Sequence, residues 1–303
     1  MKNPGVDFQA KVTFIGARFR LFAIMLSGYF LMLLTAGIYR FWLVTNKRRF
    51  YWSHTQIDGD ALEYTGSAVQ LLVGFLFAVM IFIPLYGFFF YLSTQSSETA
   101  VIGYSGAAIF MYFMYGYAAY RGRRFLLSRT LWRGIRFQLS GSAWSYAFRR
   151  LFWTVMTVLT LGLAFPFMSA NLWRYRYSHT WFGDRQCSFA GSWRQIAVPF
   201  YLYYLIVAGL IFAGVNADIT SAPQNGSPAD MYELNPRAFG FYSGAALVAY
   251  TAYFHLRAHI TSAMLSSLSI GRTRLKVVVR ARSLFWLQIA YSFFLAIVSV
   301  VFL

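Results

Sequence analysis

Two histidines open the chemical question. His54 and His179 stand at the same place in two related stretches, RRFYWSHTQIDGDALEYTGS (48–67) and WRYRYSHTWFGDRQCSFAGS (173–192). Imidazoles repeated in this way could be paired metal ligands, but Arg129, which is no metal ligand, fills the same position in a third copy, so an interfacial histidine satisfied by backbone or lipid is the expectation. His255 and His259 lie one helical turn apart, a spacing that can chelate, yet no Asp, Glu or Cys stands near them. Asp58, Asp60 and Glu63 form an acidic cluster that could act as acid and base or hold a cation. Turn formation around Gly59 explains the aspartates, and Arg48 or Arg49 offers Glu63 a partner. No phosphate loop, HExxH or GxSxG pattern occurs. No catalytic residue, metal ligand or cofactor is expected.

Arginine is the more telling residue. Lys47-Arg48-Arg49, Arg121-Arg123-Arg124, Arg149-Arg150, Arg174-Arg176 and the run from Arg272 to Arg282 are interleaved with Trp and Tyr. Guanidinium groups on phosphates and aromatic rings at an interface are the composition of a protein seated in an anionic headgroup layer. Nucleic acid is bound by the same residue types, but beside long apolar runs the lipid is the expected partner. Arg48, Arg49, Arg121, Arg123, Arg124, Arg174 and Arg176 are the candidate residues for an anionic lipid or ligand, with no nucleic-acid role.

The elements that carry these residues are apolar. Of 303 residues 58% are hydrophobic, 21% aromatic and 12% charged, with 27 Lys and Arg against 9 Asp and Glu. That is not the balance of a soluble globule. A bilayer core takes about 20 consecutive apolar residues per helix, and runs of that kind lie within 68–120, 195–215, 238–254 and 284–303. The N-terminus lacks the basic, apolar and cleavage segments of a signal peptide, so the first apolar segment is expected to be retained. Cys187 is the single cysteine, which excludes an intrachain disulfide.

Internal repetition organises the chain. SRTLWRGIRFQLSGS (128–142) aligns without a gap to SHTQIDGDALEYTGS (53–67), a degenerate fourth copy runs over about 266–281, and VTFIGA (12–17) resembles the second half of another. Alternation at Leu62 and Tyr64, and at Phe137 and Leu139, predicts strands. Asp58-Gly59, Arg133-Gly134 and Phe182-Gly183 supply tight turns, and Gly66-Ser67, Gly141-Ser142 and Gly191-Ser192 the corners into the next helix with Ser as N-cap. Each copy is therefore a short β-hairpin, with Gly59, Gly66, Gly134, Gly141, Gly183 and Gly191 as its turn residues.

Charge then orients the pieces. If 93–100 and 216–237 lie outside, all 27 basic residues but Arg237 stay on the other side, together with all nine acidic ones except Glu98, Asp218, Asp230 and Glu233. By the positive-inside rule that side is cytoplasmic, and the N-terminus is placed there too. Helical hairpins are expected at 68–92 with 101–120 and at 196–215 with 239–257. The segments 19–46 and 151–173 break midway at TAGIYRFW and TLGLAFPF and read as re-entrant, a single crossing by 19–36 being the rival. No Asp, Glu, Lys or Arg is expected inside the full-length spans, which counts against a coupled pump.

LLTAGIYRFWLVTNKRRFYWSHTQIDGDALEYTGS and LTLGLAFPFMSANLWRYRYSHT together resemble the signature of the YjgN family of bacterial inner-membrane proteins, built around domain of unknown function 898. The chain departs from it at Phe167, where the family has Trp, and in its degraded fourth copy. The resemblance implies a multi-pass inner-membrane protein and association with a membrane metallopeptidase, and carries no catalytic residues across. The expected fold is an all-α membrane protein, a polytopic bundle with internal repeats and cytoplasmic β-hairpins. It forms one domain over 1–303, with approximate units 12–66, 67–141, 142–191 and 192–281 and a C-terminal helix at 283–303. The expected role is non-enzymatic, binding lipid or a small anionic ligand at the cytoplasmic leaflet. A transporter or channel-like permease and a membrane-embedded metal-dependent enzyme are the alternatives.

Overall fold

The structure, a computed structural model, describes residues 11–221, 235–271 and 273–301. Most of the expected outer loop at 216–237, with Asp230 and Glu233, and Arg272 of the last basic run lie outside the described residues. The chain divides into two compact units, the first comprising its residues through Phe152 with Tyr175–Cys187, the second Trp153–Arg174 with Ser188 onward.

The first unit begins with β1 (Val12–Phe14), α1 (Arg18–Leu34), α2 (Arg40–His54), β2 (Thr55–Ile57) and β3 (Asp60–Tyr64). There follow α3 (Ala68–Ser93), α4 (Ser97–Ser128), β4 (Thr130–Trp132), β5 (Ile135–Leu139) and the start of α5 (Ala143–Leu159). The chain returns to it at the end of α6 (Phe165–Ser178), for β6 (Thr180–Phe182) and most of β7 (Arg185–Phe189). The second unit holds the rest of α5, α6 and β7, then α7 (Arg194–Ser221), α8 (Pro236–Ser266), β8 (Leu268–Ile270), β9 (Thr273–Arg274) and α9 (Ala281–Val301).

The strands are bonded to their chain neighbours in strict order from β1 to β9. Every pairing with a defined register is antiparallel. A repeated local chemistry builds this order. Each helix that enters a hairpin ends with carbonyls that its own turns cannot satisfy. Thr55, Thr130 and Thr180 answer by donating their hydroxyls to Tyr51, Leu126 and Arg176 four residues back, at 2.7–2.9 Å. One further carbonyl at each helix end then receives a strand amide: Ile15 N–H donates to His54, Thr65 to Arg129, Ser140 to His179 and Ala190 to Ser267, all at 2.9–3.0 Å. That bond hands each strand to the next copy, so the sheet grows one hairpin per repeat.

The turns divide into two kinds. Asp58 and Gly59 (φ 55° and 85°), like Arg133 and Gly134 (φ 50° and 74°), both take the left-handed region that a type I′ turn requires. In the third copy the turn pair is Gly183-Asp184 rather than Phe182-Gly183, because Phe182 pairs with Arg185 as the last rung of the hairpin. Gly183 is then the first turn residue, with φ 59°. The fourth copy repeats this arrangement, with Gly271 at φ 59° after Ile270, which pairs with Thr273.

The two broken segments are helical hairpins with one corner. Ala36 and Gly37 (φ 47° and 89°) match Leu161 and Gly162 (φ 51° and 97°). In each, the preceding threonine donates to the carbonyl four residues back and accepts an amide four residues on: Thr35 to Leu31 and from Tyr39, Thr160 to Met156 and from Ala164. A left-handed pair stops the first helix and the threonine reseeds the second. With 17 and 15 residues in α1 and α2, each limb is about 22–26 Å long at 1.5 Å per residue.

Among the described residues two helices are long and apolar enough to cross a membrane, Ala68–Ser93 and Arg194–Thr220, and only 6% and 11% of their apolar windows are buried inside the protein. A core helix of a soluble protein hides such a stretch. Helices outrun their apolar runs as well: α4 continues through Arg121, Arg123 and Arg124, and α8 through Arg257 to Ser266. The expectation that the span 239–257 is free of Asp, Glu, Lys and Arg therefore fails at Arg257, which lies within a continuous helix.

Candidate functional site

Asp58, Asp60, His54 and His179 are engaged by the scaffold. Asp60 and Asp58 both face Arg133 of the next hairpin, the two ion pairs found among the described residues. His54 Nδ1 lies 2.7 Å from the Phe50 carbonyl and His179 Nδ1 2.7 Å from that of Tyr175. A carbonyl can only accept, so Nδ1 carries the proton in both rings and each histidine closes the last turn of its helix. Among the described residues no three His, Cys, Asp or Glu side chains gather as a metal site.

The candidate arginines separate into two groups. Arg49 Nη2 donates to the Gly66 carbonyl at 3.3 Å and Arg174 Nη2 to that of Gly191 at 3.2 Å, the same clamp in two copies. Arg48 donates to the Tyr64 hydroxyl at 3.0 Å and lies 5.7 Å from that ring's centroid. These bonds lock hairpin to helix. Gly66 and Gly191 are needed at these clamps because a Cβ there would collide with the rings of Tyr64 and Phe189 two residues earlier.

The second group sits in the first unit around α4, α5 and the end of α6. Arg123 stacks 4.4 Å from the Tyr177 ring, and Arg149 lies 5.1 Å from that of Tyr175. Arg150 lies 4.8 and 4.5 Å from Tyr112 and Tyr115 and donates Nε to the Tyr112 hydroxyl at 3.1 Å. Arg121 is 6.0 Å from Tyr117, and Arg124 is exposed beside Tyr120. Burial lowers the pKa of Arg176, which Tyr146 offsets and Arg123 reinforces. Since a guanidinium stays charged in proteins, that shift reflects the desolvation of a half-buried cation. The Nε atoms of Arg123 and Arg129 are buried without an acceptor. No carboxylate pairs with Arg121, Arg123, Arg124, Arg129, Arg149 or Arg150 among the described residues, and the half-buried Arg123, Arg129 and Arg150, partly withdrawn from water, call for an anion.

A second cationic feature lies at the first helical hairpin, where Arg20 of α1 and Asn46, Arg49, Ser53 and His54 of α2 line an open cavity of about 280 Å³. Donors dominate its polar lining and no carboxylate enters it. Sequence reading picked out Arg49 and His54 but missed Arg20 and Asn46, because the re-entrant reading of 19–46 folds its two limbs together without telling which residues of each face a common cavity. Tyr112 and Tyr115 were missed for the same reason: they lie within an apolar run whose only signal was hydropathy.

Comparison with known proteins gives one match. The family described as bacterial protein of unknown function, DUF898, covers residues 9–300. No curated protein and no solved structure matches the chain.

Proposed function

The chain belongs to the DUF898 family, and with no activity to inherit from it we propose a multi-pass bacterial inner-membrane protein that holds anionic phospholipid headgroups, or a phosphate-bearing ligand, on a cytoplasmic arginine–tyrosine face. The observation that carries this is the cluster of Arg123, Arg149 and Arg150 on tyrosine rings, with no carboxylate paired to these three among the described residues. Guanidinium forks match phosphate oxygens bidentately, and stacking on tyrosine holds them in place before the ligand arrives. The outward-facing apolar helices support a bilayer around the protein, and the excess of Lys and Arg near their ends supports a cytoplasmic position for the hairpins.

The test is thermal unfolding of the purified chain in neutral detergent with cardiolipin, phosphatidylglycerol or phosphatidylcholine added. Anionic lipid should raise the midpoint and phosphatidylcholine should not. Replacing Arg20, Arg123, Arg149 and Arg150 together by Gln should remove most of that gain, at about 1 kcal/mol for each charge near the headgroups. Equal gains from the two lipid classes, or an undiminished gain in the variant, would overturn the reading.

A further inference from the structure

We infer that the second unit carries a site for a single-chain fatty carboxylate, in a cleft between α6, α7 and α8. The cleft has a volume of about 410 Å³, within the range of about 300–1,000 Å³ typical of small-molecule pockets. Its walls are Phe165 and Trp173 of α6, Phe200 of α7, and Leu256 and Ile260 of α8. Trp173, Phe200 and Ile260 rest in turn on a buried core of Ala170, Ile196 and Met264, the last two with no exposed surface. The apolar walls therefore stand on a packed floor and need no ligand to form them.

The polar part of the lining is small and specific. Arg257 carries one positive charge, with the hydroxyls of Ser169 and Thr261 on the same cleft. Its Nη1 donates to the Tyr253 hydroxyl at 2.6 Å, which fixes the guanidinium and leaves its remaining N–H groups as donors. Thr261 donates its own proton to the Arg257 carbonyl at 2.7 Å, so its oxygen is left to accept. The described carboxylate of this unit, Asp218, accepts from the Tyr242 hydroxyl at 2.8 Å. Tyr242 lies about 22 Å along α8 from Arg257 at 1.5 Å per residue, so Asp218 is no partner for it.

One exposed cation at the mouth of an aromatic and aliphatic cleft selects one anion carrying a hydrocarbon chain. A planar carboxylate matches the guanidinium fork, whereas a phosphomonoester would bring a second charge with no second cation to meet it. The volume, near the lower end for small-molecule pockets, takes one chain and not the two of a phospholipid. The site is separate from the arginine–tyrosine cluster, which belongs to the other unit, and does not depend on that cluster's ligand.

The experiment uses the full chain in phosphatidylcholine nanodiscs at pH 8, photolabelled with a diazirine-bearing palmitate or with its methyl ester, and mapped by peptide mass analysis. Palmitate should label 165–173 and 253–261 about ten-fold above the ester, the weight of one charge-assisted hydrogen bond. R257Q should reduce palmitate to the ester's level, R257K should retain part of the preference, and Ser169→Leu should block both probes by filling the cleft. Equal labelling by acid and ester, labelling spread over the lipid-facing helices, or full labelling of R257Q would overturn the assignment. So would displacement by phosphatidylglycerol as effective as by unlabelled palmitate. The variant neutralised at Arg20, Arg123, Arg149 and Arg150 should keep its palmitate labelling, so loss of anionic-lipid stabilisation there leaves this site standing, and the reverse result in R257Q leaves the cluster standing.

Discussion

In the first hairpin Arg49 reaches the Gly66 carbonyl, and in the third Arg174 reaches Gly191. In the second, Gly141 has moved into the left-handed region at φ 90° and the Tyr120 hydroxyl donates to the Ser140 carbonyl at 2.5 Å instead. A tyrosine has taken over the anchoring of that corner, and Arg124, which aligns with Arg49 and Arg174, is exposed. The difference teaches that basic residues aligned by the repeat are not equivalent. Two are structural clamps, while the middle copy frees its arginine and lies beside the tyrosine-lined cluster of Arg123, Arg149, Arg150 and Arg176.

The sharpest way to break the comparison is Gly141→Ala. The left-handed backbone resists a side chain, and the new Cβ would meet the Tyr120 hydroxyl at 2.7 Å. Destabilisation of about 2–3 kcal/mol is expected in thermal or denaturant unfolding, against about 1 kcal/mol for Gly134→Ala, whose Cβ would meet open space. Equal costs would show that Tyr120 is not the anchor. Tyr120→Phe should cost about 1 kcal/mol by orphaning the Ser140 carbonyl, and His54→Ala and His179→Ala should cost about the same as each other, since both remove one helix-end bond. A much larger loss at one histidine would mark it as more than a cap.

Arg49→Ala and Arg124→Ala separate clamp from free guanidinium more finely. Arg49→Ala should lose about 0.5–1 kcal/mol of stability, while Arg124→Ala should stay within about 0.5 kcal/mol and instead weaken the response to phosphatidylglycerol. The smallest effect is at Cys187, which in the third copy stands where Leu62 and Phe137 stand in the others. Burial pushes its thiol up, with Arg123 pulling the other way, so the thiol is protonated at neutral pH and the reactive thiolate forms only at higher pH. Iodoacetamide should therefore modify it more slowly than a free cysteine at pH 8, with the rate still climbing past the ordinary thiol value of about 8.5. Fast reaction at pH 7 would show the third hairpin open to solvent.

What can be read from neighbours in the chain was legible in the residues. The Ser-His-Thr and Gly-Ser punctuation, the alternation at Leu62 and Tyr64, and the apolar lengths of α3 and α7 foretold hairpins, corners and long helices, because turn conformation and helix ending depend on groups within about four residues. The third turn was misplaced by one residue because Gly183 serves a two-residue turn from either position, and only its pairing with β7 decides which. Contacts across tens of residues were the province of the tertiary structure: Arg20 meeting Arg49 at one cavity, Tyr112 and Tyr115 framing Arg150, and Arg257 standing at the mouth of an aromatic cleft. Composition determined that this chain would be rich in cations without matching acids. Which of those cations are spent on carbonyl clamps and which are left for a ligand depended on how far each guanidinium lies from a carbonyl once the helices pack, a distance that no local pattern encodes.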